Sequence, residues 1–439
     1  MKKIALISYG CAKNLVDSEV MLGHMEKAGY SFVTDPEEAD ILVLNTCGFI
    51  ESAKKEARDG LKDAVALKKK AKKKKIIAVG CYVERYKSLL HQEYPEIDAW
   101  LGVKDFDKIV SVIEEKEFTK SQNSYLYDHT TPRFRQTPPS WSYVKISEGC
   151  SHECSFCSIP LIKGPYRSRS ISSVFQEIEA LSLQDVKEIN LISQDTTYFG
   201  RDLGLEEGLT QLLRELLKIK RIGWIRILYG YPEEITDSLV EILQEDRICS
   251  YLDVPFQHSD PNIIKKMKRA MDGKRALPLI EKLRNRIPGI ALRTSLVVGF
   301  PGEGKKEFED LKSFVREARF DHLGVFTYSR EEDTSSFALG DPVKESVKNK
   351  RKAKILEIQA EISFQKNEKY FGRQVETLIE GTSTDSPNVL VGRAKFQAPE
   401  VDGVILIDRP DDWTKVVNSI QKVEIAGWDV YDLYGKLAR

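Results

Sequence analysis

Three cysteines fall within one short stretch, Cys150-Ser-His-Glu-Cys154-Ser-Phe-Cys157, directly after the apolar run SYVKIS at 142–147. This C-x3-C-x2-C spacing constrains the chain more than any other feature. Thiols this close converge on one metal centre rather than on separate disulfides, so the stretch must be a loop leaving a strand. The cysteine count of seven is odd, and the amino terminus carries no small-residue cleavage site of a secretory signal, which also argues against a disulfide framework. Iron–sulfur clusters are held by cysteine thiolates, and three ligands on a four-iron cluster leave one iron open to a non-protein ligand. The alternative is structural zinc, which prefers four protein ligands, and no second cysteine pair lies nearby. His152, inside the spacer, is read as solvent-facing.

The loop sits in a repetitive setting. Residues 1–116 alternate IALIS, VDSEVMLGHMEKAG, DILVLN, ESAKKEARDGLKDAVALKK and KIIAVG, which predicts a parallel sheet covered by helices. The Lys68–Lys75 run, broken only by Ala71, is read as a solvated helix end rather than a nucleic-acid contact. Residues 117–140 are polar, carry Pro132, Pro138 and Pro139, and read as a linker. Over 141–371, SYVKIS, EINLIS, WIRILY, YLDVPF, ALRTSLVVGF and HLGVFTYS alternate with helical patterns. They predict an open or partial (β/α) barrel with its active site at the carboxyl ends of the strands, followed by a charged helix over roughly 343–371. Residues 373–439 break into short alternating runs separated by Gly, Asn and Asp, the pattern of a small antiparallel β-barrel of about five strands. The chain is therefore α/β with three domains, in keeping with its 439 residues.

Lys+Arg and Asp+Glu both number 67, and this neutral balance argues against a chain whose affinity comes from coating phosphates. No apolar run approaches the length needed to cross a bilayer, so a soluble cytoplasmic protein is expected.

Cys11, Cys47 and Cys81 are far apart, but each directly follows an apolar run: IALISYG, ILVLNT and IIAVG. In a parallel sheet all strand carboxyl ends share one edge, so three equivalent positions converge where open α/β sheets bind ligands. The bland alternative is three core thiols. Cys249, in the lead-in RICSYLDV, is read in that way, as a core thiol without a partner.

The loop motif, with Phe156 before its last cysteine, resembles the radical S-adenosylmethionine (SAM) superfamily. Two three-cysteine sets in this order, followed by a β-barrel, resemble the methylthiotransferases over essentially the whole chain. The landmarks are YGCAKNLVDSE (9–19), LNTCGFI (44–50), AVGCY (78–82), SEGCSHECSFCSIP (147–160), YRSRS (166–170) and VVGFPGE (297–303). The first motif, PFQHSDPNIIKKMKR (255–269) and FTYSREEDTS (326–335) resemble the branch that modifies ribosomal small-subunit protein 12 on the β-carbon of an aspartate. The tRNA-modifying branches usually read Gln in place of Lys13, and Pro-Gly rather than Glu-Asp in the last motif. The final barrel resembles a TRAM domain, commonly an RNA-binding module. Its eight Lys/Arg against eleven Asp/Glu over 373–439 suit a basic ribosomal protein better than a phosphate backbone. Two departures are Gly302-Glu303-Gly304 for the usual Gly-Glu-Thr, and Lys163 for an arginine often found near Gly164.

The resemblance implies two 4Fe-4S clusters, one on Cys150, Cys154 and Cys157 that reduces SAM and one on Cys11, Cys47 and Cys81 that brings the sulfur. An unactivated carbon–hydrogen bond has no acid or base able to open it at neutral pH, so the cofactors carry the chemistry and no catalytic side chain is assigned. Gly299 and Pro301 are candidates to let the backbone approach SAM, and Gln194 and Asp195 to contact its ribose or amino group. The expected partners are ribosomal protein 12 and an electron donor such as flavodoxin or ferredoxin, with no membrane and a monomeric enzyme. The alternative substrate is a tRNA adenosine.

Overall fold

In the computed structural model, which describes residues 2–71 and 73–438, the first domain is one parallel sheet. Its strands are β1 (Lys3–Ser8), β2 (Ser31–Phe32), β3 (Ile41–Thr46), β4 (Lys75–Gly80) and β5 (Ala99–Leu101), in the order β2-β1-β3-β4-β5. The edge strands β2 and β5 are too short to register as a period in the sequence. Helices α1 (Ala12–Lys27), α2 (Glu51–Lys70), α3 (Cys81–Glu93) and α4 (Ile109–Ile113) complete the domain. Successive residues of a strand point to opposite faces. Ile41, Val43, Ile77 and Val79 pack with Val16 and Val20 of α1, while Leu42, Leu44, Ile76 and Ala78 pack with Ala57, Leu61 and Ala64 of α2. Burial on both faces explains why every residue of β3 is buried.

The lysine run, of which Lys72 lies outside the described residues, is less solvated than expected. Lys68 donates to Asp98 Oδ2 at 2.5 Å, Lys69 pairs with Glu96 at 3.3 Å and Lys75 with Glu115 at 3.0 Å. Lys74 is buried and donates to the Pro36 carbonyl at 2.6 Å. These lysines join the helix end to neighbouring loops.

Residues 117–140 form no helix or strand, yet they are welded down as a strap over α1. A Cβ at Gly23 would lie 2.4 Å from the Pro132 carbonyl, so only glycine lets the strap cross there. Arg133 then reaches buried Glu19 of α1 and, at 2.8 Å, Glu177.

The second domain contains β6 (Trp141–Lys145), a ribbon of β7 (Ser147–Glu148) with β8 (Arg167–Ser168), and β9 (Glu188–Ile192), β10 (Trp224–Ile227), β11 (Tyr251–Asp253), β12 (Ala291–Val298) and β13 (His322–Thr327). Two parallel three-stranded sheets, β10-β9-β6 and β11-β12-β13, meet where Ile225 N–H donates to the Arg247 carbonyl (2.8 Å) and Cys249 N–H to the Ile225 carbonyl (2.9 Å). The six expected strands thus stand in sequence order as a partial barrel. Cys249 is wholly buried at that seam, as a core thiol. The crossovers are α5 (Ile159–Lys163), α6 (Ile171–Leu183), α7 (Gly208–Leu216), α8 (Asp237–Ile242), α9 (Pro261–Lys266), α10 (Gly273–Arg286) and α11 (Lys305–Ala318), and α12 (Glu345–Glu368) leads out. Among the described residues no helix is long and apolar enough to cross a membrane.

The last domain closes β14 (Gln374–Thr382), β15 (Val389–Ala394), β16 (Ile405–Asp408), β17 (Ser419–Trp428) and β18 (Leu433–Leu437) into a barrel, β14-β15-β16-β18-β17. The expected antiparallel barrel of about five strands is present, with four antiparallel pairs and one parallel pair, β16 with β18. An odd number of strands cannot alternate direction all the way round a closed ring. The loop after β15 plugs the amino ends of the partial barrel. Asp402, with no exposed side chain, accepts from Tyr251 Oη (2.7 Å) and Arg293 (2.6 Å), and Glu400 accepts from Tyr143 Oη (2.9 Å). Beside the plug, buried Glu188 binds Arg226 of the partial barrel at 2.8 Å and Arg393 of the last domain at 2.7 Å.

Candidate metal centres at the strand ends

The ribbon β7/β8 pins both ends of the first cysteine loop. Gly149 enters it at φ +78°, and a Cβ there would lie 2.1 Å from the Pro165 carbonyl oxygen. Backbone bonds from Cys150 N to the Gly164 carbonyl (3.1 Å) and from Cys157 N to the Cys154 carbonyl (3.1 Å) shape the loop. Burial pushes the Cys150 thiol up to about 11 and Cys157 up to about 12. Such thiols keep their protons until a metal displaces them. Arg269 donates to Cys154 Sγ at 3.7 Å. The hydroxyls of Ser155 and Ser158 and Arg269 Nε are buried around the thiols with no partner among the described residues. Three thiols ringed by idle donors fit an iron–sulfur cluster, whose sulfides accept hydrogen bonds.

The second set is assembled by register. Ser8 pairs with Asn45 and Thr46 with Gly80, so the three central strands end level. Cys11 then caps α1, Cys47 follows β3, and Cys81 opens α3. A Cβ at Gly10, where φ is +95°, would lie 2.6 Å from Cys47 Cβ, so Cys47 lies against the backbone beside Cys11. Asn14 ties the set together: its Nδ2 donates to the carbonyls of Tyr9 (3.1 Å) and Thr46 (3.2 Å), and its Oδ1 accepts from Cys81 Sγ (3.6 Å). Burial, reinforced by Cys11, pushes Cys47 up to about 11, and burial pushes Cys81 further. Among the described residues no three His, Cys, Asp or Glu side chains surround a single ion position. Cluster thiolates need not do so, since each takes a different iron.

Both sets face the junction of the first two domains. Ile162 of α5, just beyond Cys157, packs on Cys81. Next to it Lys163 belongs to a buried lattice of two lysines and two carboxylates. Lys163 reaches Asp17 of α1 at 3.0 Å and Glu148 at 3.5 Å; Lys145 reaches Glu148 at 2.7 Å and also Asp17. All four side chains are at most 4% exposed, so each charge depends on the others for its solvation. On the far rim the FTYSREEDTS segment clamps the first domain, where buried Glu331 takes Lys54 at 3.1 Å and Arg85 at 2.5 Å.

Five single-residue expectations meet this geometry differently. His152 is not solvent-facing: its Nε2 lies 2.5 Å from Asp195 Oδ2, and its ring stacks on Tyr231 at 3.8 Å, because β9 and β10 end beneath it. Arg269 covers the other side of Tyr231, also at 3.8 Å. Asp195 is committed to protein donors, with Oδ1 accepting from Thr197 N (2.9 Å), Thr197 Oγ1 (2.5 Å) and Tyr198 N (3.2 Å); it positions His152 rather than presenting a free carboxylate. Gln194, half-buried beside it, makes no side-chain hydrogen bond among the described residues. At Gly299 a Cβ would meet Lys348 Cγ of α12 at 2.4 Å, and the N–H is held by Glu303 Oε2 at 2.9 Å, so close packing of α12 requires glycine there. Pro301 occupies a tight Phe300–Glu303 turn, closed at 2.9 Å, in which Gly302 supplies φ +101°.

Lys13, Asn14, Asp17, Glu148, Lys163, Tyr231 and Arg269 received no role from sequence reasoning. Most lie inside the quoted motifs, and that position was the available signal. Buried polar residues in a motif beside metal ligands hold those ligands.

Comparison with known proteins adds a consistent picture. Residues 3–102 match the Uncharacterized protein family UPF0004, residues 144–315 the Radical SAM superfamily, and residues 371–437 the TRAM domain. The chain is 42% identical over 443 residues to "Ribosomal protein uS12 methylthiotransferase RimO" of Pelobacter propionicus, covering 99% of this chain and 98% of that protein. Proteins of the same description match from Aquifex aeolicus (42% over 435 residues, 99% and 97% covered) and Thermoanaerobacter sp. (46% over 413 residues, 93% and 94%). Among solved structures, the radical S-adenosylmethionine methyltransferase TsrM from Kitasatospora setae, with cobalamin and a 4Fe-4S cluster bound, aligns with TM-score 0.55 at 13% identity, covering 76% of this chain and 77% of that one. The cobalamin-dependent enzyme OxsB aligns at TM-score 0.51 and 11% identity, covering 77% and 55%. At such identities the likeness is one of fold.

Proposed function

The chain belongs to the ribosomal protein uS12 methylthiotransferase family of radical SAM enzymes, and from that premise we propose that it carries two 4Fe-4S clusters. One sits on Cys150, Cys154 and Cys157, the other on Cys11, Cys47 and Cys81. The observation that carries this reading is the repetition of three thiols, all but the exposed Cys11 buried or half-buried and with no fourth thiol beside either set among the described residues, on two strand-end edges that meet at one junction.

Bound there, the clusters and SAM supply the radical that opens an unactivated carbon–hydrogen bond, the sulfur, and the methyl group. The protein's residues position and protect. Asn14 holds the three strand-end loops at one spacing. The Asp17, Lys145, Glu148 and Lys163 lattice locks α1 to the partial barrel and keeps water out of the junction. The Arg269, Tyr231 and His152 stack, fixed by Asp195, forms a wall beside Cys154, and Gln194 offers its free amide to the SAM ribose or amino group. The substrate is the β-carbon of an aspartate in uS12, the electron donor is a flavodoxin or ferredoxin, and the enzyme acts as a cytoplasmic monomer where ribosomes assemble. The tRNA alternative finds no support in the relatives, whose descriptions name a ribosomal protein.

Iron and sulfide analysis of anaerobically purified protein tests the clusters. About eight irons per chain are expected, falling to about four when Cys11, Cys47 and Cys81 are all changed to Ala. An unchanged iron content in that variant would remove the second cluster. Methylthio mass on uS12, and none on tRNA, tests the substrate.

A further inference from the structure

One buried cation at the junction has no carboxylate partner among the described residues. Lys13 lies on the first turn of α1, two residues past Cys11, and is 7% exposed. Its ammonium stands 3.3 Å above the Tyr229 ring and 3.4 Å from the Ser193 carbonyl, its one hydrogen bond among the described residues. Ser193 follows β9 and Tyr229 follows β10, so the ammonium points from the cysteine edge of the first domain into the mouth of the partial barrel.

Of the other buried lysines, Lys74 is satisfied by three backbone carbonyls, those of Pro36, Glu37 and Ala39, and the rest pair with carboxylates. Lys54 pairs with Glu331 at 3.1 Å, Lys145 with Glu148 at 2.7 Å, Lys163 with Asp17 at 3.0 Å and Lys348 with Asp341 at 2.7 Å. The carboxylates nearest Lys13 are already engaged: Glu148 by Lys145 and Lys163, and Asp253 by Arg293 (3.8 Å) and the Tyr229 N–H (3.3 Å). Burying an ammonium without a counter-ion is expensive, and a ring face with one long carbonyl contact offsets only part of that cost. Tyr229 itself is held at φ +62°, a conformation a bulky residue rarely adopts, which fixes its ring beneath the ammonium. Among the described residues no carboxylate pairs with the ammonium, Cys11 being the charge it feels most within the chain, and the space between the two cysteine sets is where the reacting carbon must lie.

We propose that Lys13 is a specificity-determining residue that binds the carboxylate of the substrate aspartate. This rests on the uS12 reading above. The carboxylate carbon is bonded directly to the β-carbon, so one charge-assisted hydrogen bond fixes the reacting atom one bond away. Tyr229 supplies an apolar floor that strengthens the contact by excluding water.

The test is a double-mutant cycle on peptide binding to the reconstituted holoenzyme, with synthetic uS12 peptides carrying Asp or Asn at the modified position. The unaltered enzyme should hold the Asp peptide about 30-fold tighter than the Asn peptide, and Lys13→Gln should erase that preference. Lys13→Arg should restore part of it. Equal loss of affinity for both peptides, or a fall in iron content with the Asp preference intact, would overturn the proposal and make Lys13 a support for the cluster. Failure of the unaltered enzyme to add a methylthio group to either peptide, with tRNA modified instead, would bring down the uS12 reading and this proposal with it.

Discussion

The two cysteine sets reach one junction by opposite routes. Cys150, Cys154 and Cys157 lie on one loop whose ends are stapled by a short ribbon, so their relation is local. Cys11, Cys47 and Cys81 follow three strands and depend on parallel register, on Asn14 and on the charge lattice that seats α1. A local site survives loosening of distant packing, whereas an assembled site inherits the stability of everything that holds its parts level.

The sharpest break between the two is functional. Cys157→Ala should abolish methylthiolation and SAM cleavage together, each by more than about 10⁴-fold, because removing a member of a unit removes the whole. Cys81→Ala should abolish methylthiolation to the same extent but leave SAM cleavage to 5′-deoxyadenosine within about 10-fold. Chromatography of the SAM products reads both, and loss of cleavage in both variants would erase the distinction.

A smaller effect tests the assembled nature of the second set. Asp17→Ala strips the lattice of one carboxylate and leaves Lys145 and Lys163 buried with Glu148 alone, a cost of about 3–5 kcal/mol in chemical denaturation. Iron should be lost from the second set first. Smaller still, Asn14→Ala removes the donors to Tyr9 and Thr46 and should cost about 2 kcal/mol, with the first set keeping its iron. Equal loss of iron from the two sets in both variants would mean that they are not independently built.

The opposite end of the partial barrel shows a third way of joining parts. There the last domain inserts Asp402 among Tyr251 and Arg293, and Glu188 bridges two arginines. No sequence pattern announces that seat, because its partners come from β9, β10, β11, β12 and, in the last domain, from β15 and the loop that follows it. The acidic balance of the last domain was read as a surface property, yet part of it is buried in this plug.

Order, type and direction of the main elements were legible because they follow from local periodicity: six barrel strands, three central strands of the first sheet, and the closing small barrel. The first cysteine set was equally legible, since spacing alone brings its thiols together. The second needed one topological rule, that parallel strands end on one edge. Short strands such as β2 and β5 escaped because two or three residues carry no period, and the parallel pair in the last barrel follows from closure with an odd strand number.

The individual side chains were decided by tertiary structure. A carboxylate such as Asp195 at a strand end reads as a ligand until Thr197, Tyr198 and His152 are seen to occupy it. That Gly299 is also needed for the close packing of Lys348 is visible only in the fold. Lys13 reads as one more charged residue until folding strips it of water and leaves it with no carboxylate partner among the described residues. The residue types and their local spacing set the elements and the metal-binding chemistry. Which polar groups are satisfied and which remain free depends on partners distant in sequence, and only packing brings those partners together.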